Sequence, residues 1–489
     1  MGFYVTTAIP YVNAAPHLGH ALELVQADVL ARHRRLRGEH VRFLTGTDDN
    51  ALKNVTAARA AGVGVRAFVD ANAARFAALR GPLDLSFDDF IRTSADPRHA
   101  AGVERLWRAG AARDDFYPRS YRGLYCPGCE QFVDGPCAEH PGEPEAVEEV
   151  NWFFRLSRYT GKILEALETA TVRIEPAARR NEVLAFVRAG LRDISVSRPA
   201  ARAGGWGIPV PGDPDQVVYV WWDALANYVT ALDGGLYERW WAGDGERVHV
   251  IGKGIVRFHA VYWLALLISA GLPLPTAIFV HDYLTVDGAK LSKSAGHAAD
   301  PVDLAGHYGT DALRWWLLRE VPPVGDTDFT EERLVRRADR ELANGLGNLV
   351  NRTLTLVHRR AGGRVRAAEP AAGAVALLPG RIDRALARFD LRAATDALWS
   401  VVEEANRLVE TARPWQLTGA GLDEVLGTLV YTCRNVTAEL RPFLPGAAAR
   451  LEAQLGAGAE VGTPAPAFQR ISRPRECRAA SPDPAPTSG

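Results

Sequence analysis

Residues 2–38 read GFYVTTAIPYVNAAPHLGHALELVQADVLARHRRLRG, and this stretch decides the fold. Segment 2–9 is short, apolar and β-branched, which predicts a strand. Pro10 and Pro16 break it and open a turn. From 18 to 36 apolar residues recur at helical spacing, and Gly38 supplies the stop. A second strand is expected at 41–44, then Thr45-Gly46-Thr47-Asp48, then a helix from about residue 51. Such alternation predicts a parallel α/β sheet with its ligand site at the carboxyl ends of the strands.

The chain's 489 residues allow roughly two to four domains with ample core. Its 47% hydrophobic and 24% charged residues are those of a soluble globular protein. The longest apolar stretch, 260–270, is interrupted by Tyr262, Trp263 and Ser269 and is too short to span a bilayer, so no membrane partner is expected. No charged start precedes an apolar run at the N-terminus, so a secretory signal is not expected and the cytoplasm is the expected compartment. A net charge of −1 gives no global basic field for nucleic acid. Arginines do pair locally at Arg179-Arg180, Arg336-Arg337 and Arg359-Arg360, which suits either a solvated face or a nucleic-acid contact. Five cysteines, three of them between 126 and 137, argue against a disulfide scaffold.

The pattern divides the chain at several points. Residues 1–114 form the first half of the sheet-bearing domain. Residues 115–200 are an insertion, irregular over 117–150 and helical over 151–196. The sheet resumes over 201–275, with buried strands at 217–221 and 248–251. Residues 276–330 carry a further strand at 277–286 and a turn at Asp287-Gly288. Residues 331–455 are helical throughout and make a separate all-α domain. Residues 456–489, rich in Ala, Pro, Gly and Ser, read as a disordered tail.

Four groups of residues carry candidate chemistry. His17-Leu18-Gly19-His20 falls where a turn enters a helix, so N–H groups and the positive dipole end face an anion there. Gly19 lets a flat base approach the backbone. Lys290-Leu291-Ser292-Lys293-Ser294 lies on a loop between Gly288 and Gly296, where two ammonium groups can follow charge developing on a leaving pyrophosphate. Cys126, Cys129, Cys137 and His140 have the donor set of a closed, structural zinc site; a single redox Cys-x-x-Cys is the alternative. Asn344, Asn348 and Arg352 lie at i, i+4 and i+8, opposite Leu342, Leu346 and Leu349. That stripe is a solvated face or a reader of unpaired bases, with Trp415 able to stack one.

In this order, the histidine and lysine strings resemble the ATP-handling pair of class I aminoacyl-tRNA synthetases. To about residue 455 the chain resembles the methionyl-tRNA synthetase family. The resemblance implies a Rossmann-like catalytic domain with a zinc-knuckle connective insertion and an all-α anticodon-binding bundle. It assigns His17, His20, Lys290 and Lys293 to catalysis, and Gly19 and Ser292 with them to ATP. The methionine pocket falls on Ile9, Tyr11, Asp48, Arg198, Trp221, Ala224, Leu225, Tyr228, Ile255 and His259, with Asp48 holding the ammonium. Asn344, Asn348, Arg352 and Trp415 fall where the family reads the CAU anticodon. ATP, Mg²⁺, Zn²⁺, methionine and tRNA(Met) are the implied cofactors and partners, and a monomer the expected state.

The chain departs from the family pattern in three places. Asn50 and Ala51 stand where His and Gly usually follow the ammonium-binding region. Gly254 replaces an aspartate beside the amino-acid site, and Leu291 replaces a methionine at similar volume. The first two departures support an alternative: a paralogue passing an activated amino acid to a small amine or hydroxylamine.

Overall fold

The computed structural model describes residues 2–126, 131–133, 135–136, 143–286, 289–290, 299–366 and 373–471. At its centre six strands run parallel: β1 (Gly2–Thr7), β2 (His40–Thr47), β3 (Asp89–Arg92), β4 (Arg173–Glu175), β5 (Glu246–Gly252) and β6 (Ala277–His281). Their order is β3-β2-β1-β5-β6-β4. Neighbours pair in parallel register throughout, as in Thr6 with Leu44 and Val5 with Val248. Both faces are covered, so β1 is apolar on both. Phe3 and Val5 join a core with the first helix, while Tyr4 joins a second core on the opposite face.

The helix Leu18–Leu36 (α1) ends as the sequence predicts, with Gly38 at φ +78, a left-handed stop that glycine adopts without strain. Helices from Thr310–Arg319 onward build a bundle whose core is continuous with the α1 side of the sheet. Thus α1 is the seam between sheet and bundle.

Several expectations change. Within 117–150 the described residues 117–126 and 145–150 are not irregular: Phe116–Cys126 and Glu145–Phe154 form a long antiparallel ribbon in register from Phe116↔Phe154 to Tyr125↔Glu145. Its Gly and Pro residues hid the two-residue alternation. Residues 151–196, expected as helices, also return the three-residue strand β4 to the edge of the main sheet. Residues 217–221 are not a strand of that sheet. Asp213–Val218 pairs antiparallel in a separate three-stranded sheet, and Val220–Leu225 is helical; a buried apolar run has no period that tells the two apart. The strand expected over 277–286 breaks at Asp282, and Leu284–Val286 pairs with Ala289–Lys290 and Thr327–Asp328 instead.

The tail expected over 456–489 is packed as far as 471. Val461 and Ala467 are buried, Ile471 N–H donates to Asp339 Oδ1 at 2.9 Å, and Arg364 pairs with Glu460. The rest of it lies outside the described residues.

Candidate active site

The histidine string caps α1. Gly19 N–H donates to His17 Nδ1 at 3.1 Å, and His17 N–H donates to His20 Nδ1 at 3.0 Å, a capping box made of two imidazoles. The rings stack at 3.8 Å. With both Nδ1 atoms accepting, the neutral rings carry their protons on Nε2, the state that donates to an anion. Gly19 has a second reason here: a Cβ would lie 2.9 Å from His17 Cε1 and crowd the cap.

The segment that follows the lysine string reaches the histidine string by one hydrogen bond. Lys290 pairs with Thr285 in the short antiparallel ladder. Ser292 and Lys293 lie outside the described residues. Past them, Leu18 N–H, in the first turn of α1, donates to the Ala299 carbonyl at 3.0 Å.

The proposed pocket residues converge at the carboxyl edge next to β1 and β5. Tyr11, two residues beyond Ile9, bridges to Asp48. Tyr11 meets Trp221 edge-on at 6.2 Å, and Trp221 stacks on Phe258 at 3.7 Å. Ala224, Leu225 and Tyr228 are buried on the short helices that follow. Tyr228 Oη donates to His259 Nε2 at 2.7 Å, and His259 Nδ1 donates to the Ile255 carbonyl at 3.0 Å. Burial pushes the His259 pKa down to about 4, only partly offset by Ile255, so the ring is neutral near pH 7. Arg198 is buried and bonded to Ser195 Oγ and the Ser197 carbonyl, its guanidinium 4.3 Å from the Tyr219 ring centroid. With Asn50 and Val220 it lines a small cavity beside the pocket.

The departures have local reasons. Asn50 Nδ2 donates to Asp223 Oδ2 at 2.7 Å, and Asp223 Oδ1 also bonds His99 Nε2 at 2.5 Å, while Thr230 Oγ1 holds the other His99 nitrogen. Ala51 caps the next helix at φ −63, ψ 138, a conformation that needs no glycine, and its methyl is fully buried. At Gly254 a Cβ would lie 2.0 Å from the Tyr283 hydroxyl, so a side chain there would have to displace that hydroxyl.

Sequence reasoning missed Asp223, His99, Asp49 and Glu23. Asp49 is fully buried and accepts from Thr47, Ser94 and Arg92; burial raises its pKa while Arg92 opposes the rise. Glu23, one turn beyond His20, bonds His281 at 3.1 Å. It thereby ties α1 to the end of β6. Burial raises its pKa, partly offset by His281. No sequence signal links partners 124 or 258 residues apart.

Of the zinc candidates, Cys126 is buried at the end of Phe116–Cys126; Cys129, Cys137 and His140 lie outside the described residues. Asn344 and Asn348 are exposed and Arg352 half-buried, opposite buried Leu342, Leu346 and Leu349. Asn344 Oδ1 already accepts from Arg470 at 2.9 Å. Trp415 is 44% exposed, and Arg360 holds its carbonyl at 2.8 Å from the end of the Asn348–Ala361 helix.

A parallel sheet with these groups gathered at its carboxyl edge has the architecture of an α/β nucleotide-binding protein. A family model for class I tRNA synthetases (M) matches residues 3–137 and 132–354, and the chain belongs to that family. It is 42% identical over 483 residues to the methionine–tRNA ligase of Mycobacterium bovis, covering 93% of this chain and 92% of that one. Against the Brucella suis methionine–tRNA ligase the identity is 41% over 470 residues, covering 92% and 90%. Mycobacterium tuberculosis methionyl-tRNA synthetase in complex with methionyl-adenylate superposes with a TM-score of 0.88 at 38% identity, covering 96% of this chain and all of that one. The apo form of the same enzyme gives 0.83 at 35%, covering 97% and 99%.

Proposed function

We infer that this chain is a methionine–tRNA ligase. It activates methionine with ATP, releasing pyrophosphate, and transfers the methionyl group to tRNA. The observation that carries the reading is that the segment just past the lysine string seats on the histidine-capped start of α1 through the Leu18–Ala299 hydrogen bond, in a chain over 40% identical to such ligases along nearly its whole length.

In the activation step the methionine carboxylate attacks the α-phosphorus of ATP, the α–β phosphoanhydride bond breaks and pyrophosphate leaves. No covalent enzyme intermediate is needed, so positioning and electrostatics carry the rate. His17 and His20 donate from Nε2 to the phosphate oxygens, on the dipole end of α1. Lys290 and Lys293, with Ser292, follow the charge onto pyrophosphate. Mg²⁺ suits the phosphates themselves, since it takes oxygen ligands and keeps several waters. Asp48 holds the substrate ammonium, Arg198 lies at the rim, and Ile9, Tyr11, Trp221, Ala224, Leu225, Tyr228, Ile255 and His259 enclose the thioether chain in an aromatic wall. A neutral His259 suits an uncharged side chain. In the second step the tRNA terminal ribose hydroxyl attacks the adenylate carbonyl and AMP leaves.

The finer assignments follow the same reading. Cys126, Cys129, Cys137 and His140 would hold a structural zinc in the insertion, three thiolates and an imidazole being a donor set that leaves the metal a folding rather than a catalytic role, and Cys126 is already withdrawn from solvent. The helical bundle reads the anticodon of tRNA(Met) with Asn344, Asn348, Arg352 and Trp415. No helix among the described residues is long and apolar enough to cross a membrane; we place the enzyme in the cytoplasm as a monomer. The paralogue alternative drew on Asn50, Ala51 and Gly254, and each now has a local structural reason.

One assay tests the reading: amino-acid-dependent ATP–pyrophosphate exchange over the twenty amino acids, followed by charging of tRNA(Met). Methionine-specific exchange with charging is expected, and Lys293→Ala should slow exchange by about 10²-fold or more while leaving tRNA binding intact. Exchange with another amino acid, or methionine exchange without charging, would overturn it.

A further inference from the structure

Strands β5 and β6 pair with Gly252 opposite His281. Two residues beyond each lie Gly254 and Tyr283, side by side past the same carboxyl edge. A Cβ on Gly254 would sit 2.0 Å from Tyr283 Oη and 3.2 Å from its Cζ. The phenolic hydroxyl thus occupies the space that a side chain at 254 would fill. Tyr283 is held there from two sides. Its N–H donates to Asp326 Oδ1 at 3.0 Å, and Lys253 Nζ lies 4.6 Å from the ring centroid while pairing with that same Asp326 at 2.5 Å.

We propose that Tyr283 is a substrate-contacting residue of this enzyme, its hydroxyl bonding a ribose hydroxyl of ATP; the inference rests on the ligase reading above. The phosphates belong at the N-terminus of α1 beside β1, and the amino acid belongs between Tyr11, Tyr228 and His259. A nucleotide spanning the β1–β5 switch point carries its sugar over the carboxyl end of β5, where Gly254 lies. Sugar hydroxyls at such an edge are commonly held by a carboxylate. Gly254 offers none, whereas a phenol both donates and accepts and brings no charge to be desolvated.

The test is methionine-dependent ATP–pyrophosphate exchange by the full chain with ATP, 2′-deoxy-ATP and 3′-deoxy-ATP. Tyr283→Phe removes one oxygen and should raise KM for ATP about ten-fold, with kcat within about two-fold and KM for methionine unchanged. For the deoxy analogue that lacks the partner hydroxyl, wild type and variant should perform alike. Gly254→Ala displaces the hydroxyl and should give the same ATP defect, and adding Tyr283→Phe to it should make it no worse. An unchanged KM for ATP, or an equal penalty on ATP and both analogues, would overturn the proposal while leaving the ligase reading intact. Wild-type enzyme without methionine-dependent exchange would overturn the ligase reading, and this inference with it.

Discussion

His259 shows how one buried side chain sets a pH dependence. Burial lowers its pKa to about 4, against about 6.5 in an unfolded chain. Between those values the unfolded chain takes up a proton that the folded one refuses. Its contribution is therefore complete above pH 6.5 and is lost as pH falls towards 4, by about 3 kcal/mol in the limit. His249, fully buried beside it and bonded to Thr6 and Trp263, is shifted the same way by burial. Urea unfolding at pH 7.5 and 5.5 should show a clear loss at the lower pH, reduced in His259→Gln; equal slopes in wild type and variant would count against this origin. At this scale much of the candidate site was legible, because His17, His20, Asp48 and Tyr228 sit in local strings. Asp223 and His99 were not, because a carboxylate and an imidazole 124 residues apart meet only after the chain folds.

At the scale of elements, glycine spacing matters as much as periodicity. In β2, a Cβ on Gly46 would lie 2.1 Å from the Ile91 carbonyl of β3, so only glycine lets these strands approach. Gly46→Ala should cost about 2–4 kcal/mol. Gly161→Ala, in a helix where a Cβ would meet nothing within 4 Å, should be neutral or stabilising by up to about 1 kcal/mol. Thermal unfolding of the two variants compares them directly; equal melting temperatures would refute the steric reading. α1 was legible to its ends, because its apolar stripe is long and its stop is a glycine. The helix Val220–Leu225 was not, since six residues buried on all sides carry no readable period.

For the whole molecule, the junction of sheet and bundle turns on Arg314. Its guanidinium is fully buried, pairs with Asp28 of α1 at 2.9 Å, and donates to the carbonyls of Leu83, Pro442 and Phe443. One side chain thus binds α1, the loop before β3 and the end of the bundle. Arg314→Met takes a buried cation from Asp28, which keeps Arg32 and Ser86, and leaves three carbonyls without this donor. It should cost about 3–5 kcal/mol, read by denaturant unfolding, and a loss below about 1 kcal/mol would show that the junction holds without it. Further along α1, Arg37 pairs with Asp383 and Glu439, and His33 with Asp383. Asp383→Ala should leave methionine-dependent exchange within about two-fold while slowing tRNA charging several-fold, and equal effects on both assays would refute a coupling role. Local pattern alone determined the parallel α/β class, the capped start of α1 and the helical second half, because hydrophobic period and capping are properties of neighbouring residues. Tertiary structure decided the ribbon inside the insertion, the packed segment 456–471, the Asn50–Asp223–His99 chain and the Tyr283 hydroxyl over Gly254. Those depend on which distant surfaces come within hydrogen-bond or van der Waals reach, and that distance is written nowhere in a local stretch of sequence.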